Sequence, residues 1–450
     1  MNAITLPSDS QLSSNAFVFG VATSAFQIEG AAEERLPSIW DRFCERRGAI
    51  KDGSDGRVAC DHYHRWQEDI DLLAALEVDA YRLSIAWPRA VTADGRANQA
   101  GLDFYRRILD RLNDKGIKAF VTLYHWDLPQ YLEDAGGWQN RETAKHFEAY
   151  ADVVTRALGD RVYSYATLNE PFCSAVLGYQ TGVHAPGIAS ERAGRFAAHH
   201  LLLAHGLGMQ VLRTNSPQAK NGIVLNFTPA YAATDSAEDQ AAAVLADEAH
   251  NQWYLQPVME GRYPDLIDRL PADQVPEIHA EDLALISAPL DYLGVNYYTR
   301  GVYRSDPERG FVALPPPIGS TTEMGWEVFP QGLTDLLVGI HQRYHLPTIY
   351  IAENGIAVHD QAENGQFNDV ERIAYLQTHL EAVHNAMQVG VDISGYFCWS
   401  LMDNFEWAEG YSKNFGLVHV DYRTQQRTVK ASGNAFRDLL RQRKQVTLTA

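Results

Sequence analysis

The sequence predicts an α/β fold, a single (β/α)8 TIM barrel with long βα loops at its C-terminal face. Three observations predict it. Eight short runs rich in β-branched and aromatic residues recur along the chain. A stretch with helical periodicity follows each of them. No tandem repeat, low-complexity segment or linker divides the 450 residues. The chain is therefore read as one domain, 1–450, with its core over about 16–443. A bare barrel commonly takes about 250 residues, so this one must carry long insertions. The apolar share of 46% suffices for a large core and argues against global disorder.

The first strand is expected at 17–22 and its helix at 62–77, where Trp66, Ile70 and Leu73 recur at i, i+4 and i+7. Strand 80–85 precedes helix 100–115, strand 118–124 precedes helix 142–158, and strand 163–168 precedes helix 192–212. In the second half the pairs are 222–227 with 239–259, 292–296 with 332–344, 348–352 with 370–387, and 393–399 with 431–441. The longest irregular stretches, 23–61, 171–191, 297–330 and 400–429, all follow strands. They belong to the face where barrel active sites are built, and their length implies a deep, walled pocket.

The formal charge of -19 repels nucleic acid and anionic membranes, and no basic run offsets it. No apolar run approaches the ~20 residues that span a bilayer. Residues 1–15 are polar and lack the charged and apolar regions of a secretory signal. Cys44, Cys60, Cys173 and Cys398 show no CxxC spacing. The expectation is a cytoplasmic protein with reduced thiols and a small-molecule ligand, without nucleic-acid or membrane partners; homo-oligomerisation stays open.

Two strands end in glutamate. Tyr165-Ala166-Thr167-Leu168-Asn169-Glu170-Pro171 puts Glu170 just past the fourth, where Pro171 helps end the ladder. Ile349-Tyr350-Ile351-Ala352-Glu353-Asn354-Gly355 puts Glu353 at the end of the seventh, and Gly355 permits a tight turn. Strands four and seven face one another across the axis, so the two carboxyls are expected to flank a bound molecule. Glycoside hydrolysis uses that arrangement: one carboxylic acid protonates the leaving oxygen while a carboxylate attacks the anomeric carbon. A strand-end glutamate by itself is commonly a solvated or capping residue. Glu363-Asn364-Gly365 repeats the tripeptide in a turn-like polar stretch, so the apolar run before Glu353 is what gives that position weight.

Four motifs in order resemble glycoside hydrolase family 1, the β-glucosidase family, from about Phe17 to Asp421. They are Phe17-Val18-Phe19-Gly20-Val21-Ala22-Thr23-Ser24-Ala25-Phe26-Gln27-Ile28-Glu29-Gly30, the run around Glu170, the run around Glu353, and Trp399-Ser400-Leu401-Met402-Asp403-Asn404-Phe405-Glu406-Trp407. Glu33-Glu34-Arg35-Leu36 departs from the family's Gly-Arg-Gly before Pro37-Ser38-Ile39-Trp40, a change expected to alter loop flexibility and not chemistry.

The resemblance implies a retaining, exo-acting β-glucosidase for terminal β-D-glucosyl residues, extending to β-galactosides and β-fucosides. It implies Glu353 as nucleophile and Glu170 as acid/base, with no metal and no cofactor. Arg82, Tyr298 and Asn296 would support the nucleophile. Gln27, His125, Trp126, Asn169, Trp399, Glu406, Trp407 and Phe415 would hold the sugar. Cys173, Leu177, His184 and Trp326, in long loops, would line the aglycone side. The partners would be β-glucosides or short oligosaccharides. Each aromatic, taken alone, is more commonly core than ligand contact.

Other patterns carry less. His62-Tyr63-His64 and His199-His200 are not read as metal sites, because adjacent helical residues do not face one ligand point. Asn226-Phe227-Thr228 matches a glycosylation sequon but sits at a strand end, and Gly206-Leu207-Gly208 lacks the third glycine of a dinucleotide site. The competing functions are a 6-phospho-β-glycosidase, a catalytically dead receptor barrel, and a thioglucosidase. Retention of both glutamates opposes the last two.

Overall fold

The computed structural model describes residues 3–7 and 9–448, with side chains through residue 444. In it eight parallel strands close into a barrel. The strands are β1 (Val18–Ala22), β2 (Ala80–Ser84), β3 (Lys118–Tyr124), β4 (Ser164–Asn169), β5 (Lys220–Phe227), β6 (Tyr292–Tyr297), β7 (Thr348–Asn354) and β8 (Ile393–Trp399). Each pairs with its neighbours in sequence, and β1 closes the ring on β8 from Val18↔Gly395 to Ala22↔Trp399. The surrounding helices are α1 (His62–Ala75), α2 (Gln99–Asp114), α3 (Glu142–Leu158), α4 (Glu191–Asn215), α5 (Ala237–Asp247), α6 (Trp253–Glu260), α7 (Pro330–Arg343), α8 (Val370–Gln388) and α9 (Ala431–Leu448).

Period-two alternation builds the two layers of core. On β1, Phe19 and Val21 point outward into the large cluster under the helices, while Val18 and Ala22 join the cluster inside the barrel. Helix α3 answers with Phe147, Tyr150, Ala151, Val154 and Leu158, a 3.6-period stripe, and stops at Gly159, whose φ is 61°. Helix α4 begins at Ser190, whose hydroxyl accepts from Ala193 N at 3.3 Å.

Inside the barrel, Phe120 packs on Phe397 at 4.8 Å and on Tyr350 at 5.3 Å, and Tyr292 on Tyr350 at 5.4 Å. These rings fit because glycines face them. A Cβ on Gly20 would stand 2.4 Å from the Phe397 ring, and one on Gly395 would stand 2.7 Å from the Tyr350 ring. The barrel is thus plugged, and space for a ligand opens only above the plug, at the C-terminal ends of the strands.

The expected strands all appear; 118–124 and 393–399 keep their bounds and the others shift by a residue or two at one end or both. β7 runs on to Asn354, so Glu353 lies at the strand's end, one residue before its last. The segment expected as one helix, 239–259, is interrupted: a π-helical turn, Glu248–Gln252, separates α5 from α6. Asn251 pins that turn to the end of β5, donating to Thr228 O at 2.9 Å and accepting from Thr228 N at 3.0 Å. The stretches expected to be irregular also carry structure. They hold short helices at Ala25–Ile28 and Ile39–Cys44, a π-helical Cys173–Gln180, and hairpins Gly301–Asp306/Gly310–Ala313 and Val418–Asp421/Gln426–Val429. Among the described residues no helix is long and apolar enough to cross a membrane.

Candidate active site

A cavity of about 310 Å³ opens at the C-terminal face, and Glu170 and Glu353 both line it. Glu353 is buried at the end of β7. Its Oε1 accepts from Arg82 Nη1 at 2.5 Å, and its Oε2 accepts from Tyr298 Oη at 2.8 Å. Arg82 rises from β2 and donates its second Nη to Asn169 Oδ1 at 2.7 Å. Asn296 Nδ2, on β6, donates to that same oxygen at 3.1 Å and to Glu170 Oε1 at 2.6 Å. Cys173 Sγ donates to Glu170 Oε2 at 3.0 Å. One hydrogen-bonded chain therefore links the two carboxyls through Arg82, Asn169 and Asn296.

The two carboxyls sit in different fields. Glu353 has the guanidinium and a phenol O–H on its oxygens. Glu170 is pushed up to about 7, first by burial and then by the charge of Glu353; Asn296, Cys173 and Arg82 pull it only partly back. Glu406 is pushed up to about 8 by burial, then by Glu353 and Glu170. Burial holds the Tyr298 phenol well above its ordinary range, so it remains a donor. Burial and then Arg82 hold His125 well below its ordinary value, and burial brings His184 down to about 4, so both rings are neutral at pH 7.

Aromatic rings form the walls. His125 stacks near Trp399 at 6.0 Å and near Trp407 at 5.9 Å. Trp407 is backed by Trp40 at 4.7 Å and by Phe26 at 6.0 Å. Trp326 packs on Tyr298 at 5.3 Å and on Phe415 at 6.3 Å. Trp126, Glu170 and Trp407 adopt left-handed φ values of 75°, 48° and 50°, a conformation that L residues hold only when their surroundings compel it.

Most of the residues singled out in the sequence meet here. His125, Trp126, Glu170, Cys173, Leu177, His184, Asn296, Tyr298, Trp326, Glu353, Trp399, Glu406, Trp407 and Phe415 all line the cavity. Five differ from expectation in detail, Asn169 among them. Asn296, expected beside Glu353, instead puts its amide on Glu170, because its strand turns that side chain toward β4. Cys173, expected only at the entrance, touches the same carboxyl. Trp126 spends its indole N–H on Asn169 O at 2.9 Å and presents ring, not donor, to the cavity. Gln27 lies behind the wall: its Nε2 donates to Asn404 Oδ1 and Phe405 O, both at 2.9 Å, anchoring the loop that carries Glu406. Arg82 and Asn169 also sit one layer back from the cavity surface.

The cavity adds residues that sequence reasoning missed, among them Phe172, His250, Thr299 and Met324. Asn226 and Thr228, set aside above as a sequon, line it as well. His250 comes from the π-helical turn and packs on Phe172 at 3.9 Å; no pattern in the sequence marks it. The histidine pairs are engaged elsewhere. His62 Nδ1 meets Asp69 at 2.8 Å, His199 bridges Tyr263 at 2.9 Å and Asp282 at 3.0 Å, and His200 meets Trp138 O at 2.9 Å. Among the described residues one group could geometrically hold a metal, His279, Glu281 and Asp282. None of the three lines the cavity, and the Asp282 carboxylate is already taken by Arg141 and His199. The departure at Glu33–Leu36 is pinned, since Arg35 forks onto Asp41 at 2.6 and 2.9 Å.

Comparison with known proteins places this geometry. A β-glucosidase of an Agrobacterium species is 46% identical over 428 residues, covering 93% of each chain. A bifunctional β-D-glucosidase/β-D-fucosidase of Bifidobacterium breve is 44% identical over 449 residues, covering 94% of this chain and 96% of its own. The structure of a Thermotoga maritima β-glucosidase in complex with glucoimidazole superposes with a TM-score of 0.92 at 41% identity, covering 98% of this chain and 100% of that one. The family model described as glycosyl hydrolase family 1 matches residues 10–445, a span that takes in all eight strands and every cavity-lining residue named above, and the chain belongs to that family.

Proposed function

We propose that the protein is an exo-acting β-glucosidase, its barrel serving as one catalytic domain, that works by double displacement with retention. The observation that carries this reading is the pair of strand-end carboxyls held in opposite fields. Glu353 is gripped by Arg82 and Tyr298, whereas Glu170 is raised to about 7, so a large share of it still carries its proton near neutrality. Glu353 attacks the anomeric carbon while Glu170 protonates the departing oxygen. The glycosyl ester removes the charge of Glu353. Glu170, now ionised, takes a proton from water, and the water oxygen attacks the anomeric carbon and releases Glu353. This chemistry uses carboxyls and water and calls on no metal or cofactor.

The cavity volume and the plugged barrel beneath it favour one terminal sugar over a long chain threaded through. Trp399 and Trp407 supply apolar faces, and the Glu406 carboxyl, on the cavity wall beside them, can bond sugar hydroxyls. The relative from Bifidobacterium breve supports extension to β-fucosides. A 2-deoxy-2-fluoro β-glucoside with an activated leaving group tests the assignment. Covalent label is expected on Glu353 by peptide mass spectrometry, and label on another residue overturns it.

A further inference from the structure

We propose that Cys173 is a positioning residue for Glu170: its thiol donates to Oε2 while Asn296 donates to Oε1, so the carboxyl is gripped at both oxygens. The inference rests on the reading of Glu170 as acid/base and adds a residue to it.

Local backbone geometry brings the sulfur there. Glu170 turns into the left-handed region at φ 48°, and Pro171 has no N–H to compete for the carboxyl. Cys173 N then donates to Glu170 O at 2.9 Å, closing a turn that folds the side chain three residues on back over the glutamate. The π-helical Cys173–Gln180 starts at this point and fixes the cysteine's direction. Both side chains are buried, at 8% and 5% exposure.

The thiol acts as a donor and not as a nucleophile. Burial, and then the charge of Glu170, push it well above its ordinary value, so it keeps its proton across the working range. The charged and titratable groups facing Glu170 are the carboxyls of Glu353 and Glu406, the Arg82 guanidinium, the Tyr298 phenol and this thiol. The Glu353 carboxylate opposes ionisation of Glu170. The S–H bond, like the Asn296 amide, favours it. Without the thiol, Glu170 should hold its proton to higher pH. The first half-reaction needs the acid form and the second needs the carboxylate, so both pH limbs should move upward together.

The test is the pH profile of Cys173→Ala and Cys173→Ser on phenyl β-glucoside, whose leaving group needs protonation, with Glu170→Ala as control. For Cys173→Ala the alkaline limb of kcat/KM should rise by about half a pH unit, roughly a threefold change in the acid constant. The acid limb for reactivation of the 2-fluoroglycosyl enzyme should rise with it. Cys173→Ser, which restores a donor, should return both limbs to within about 0.2 of the parent. Equal shifts in the two variants, or no shift in either, overturn the proposal while leaving Glu170 as acid/base if Glu170→Ala has lost its alkaline limb. Retention of that limb in Glu170→Ala overturns both.

Discussion

Esterifying Glu353 should lower the pKa of Glu170, and burial limits the fall. Double displacement needs carboxyls about 5.5 Å apart. At an effective dielectric of about 20, two charges at that distance interact by roughly 3 kcal/mol, or about 2 pKa units. Burial is the larger cause of the rise from 4.5 to about 7, and burial persists in the ester, so the carboxyl should not return to its ordinary value. Arg82, relieved of its partner on Glu353, then acts on Glu170 with less opposition. The expected fall is about 1–2 units, to roughly 5–6.

The sign follows from the shift. A raised carboxyl is protonated, and competent as an acid, below about 7, and loses that competence as pH rises through 7. In the ester, Glu170 is ionised and competent as a base at the same pH. The assay is a titration by NMR of protein labelled with ¹³C at the glutamate δ-carboxyl, free and after inactivation by a 2-deoxy-2-fluoro glucoside. The Glu170→Gln spectrum assigns the resonance. An unchanged titration midpoint in the trapped form would refute the charge coupling and with it the switch between acid and base.

Tyr298→Phe removes the 2.8 Å bond to Glu353 and should lower kcat about ten- to a hundredfold, the worth of a hydrogen bond to a charged group; a loss under twofold sinks that role. Aryl β-glucoside should be cleaved with a much higher kcat/KM than its 6-phosphate, because Glu406 lines the cavity, Phe415 offers no hydroxyl, and Lys413 is spent on Glu323 O at 2.7 Å; preference for the phosphate would remove Glu406 from sugar binding. Arg372→Ala should destabilise the fold by about 2–4 kcal/mol in urea unfolding, since it removes the guanidinium between two buried carboxylates and leaves Asp360 to Lys430 and Asp369 to Ser432; a change below about 1 kcal/mol would show the guanidinium to be dispensable.

The barrel was readable because its signal is repeated. Runs such as Ile349-Tyr350-Ile351-Ala352 are aliphatic or aromatic and buried on both faces, and each such run is followed by a helix whose apolar stripe has something to cover. Where a single side chain reaches across the molecule, no local pattern records it. Asn251 breaks a helix that composition alone continues, because its amide finds Thr228 just past the end of β5. That break delivers His250 to the cavity, which explains why His250 was invisible in a segment that reads as ordinary helix.

The same limit governs the site. Glu170 and Glu353 stand out because strand ends are recognisable from the residues before them. Which partner each one meets depends on how neighbouring strands rotate their side chains. Asn296 is paired in the backbone ladder with Glu353, and from that register it should belong to Glu353, yet its amide crosses to Glu170. Backbone strain is hidden for a related reason. Residue type at positions 126, 170 and 407 speaks against left-handed φ, and the preference is overridden where tryptophan faces and a carboxyl must be aimed into one small cavity. Left-handed φ also occurs at Ala31, Ala59, Asp61, Glu77, Asn364 and Gln425, away from the cavity, so a mismatch between residue type and backbone points to the site only together with a place on the cavity wall, which positions 126, 170 and 407 share.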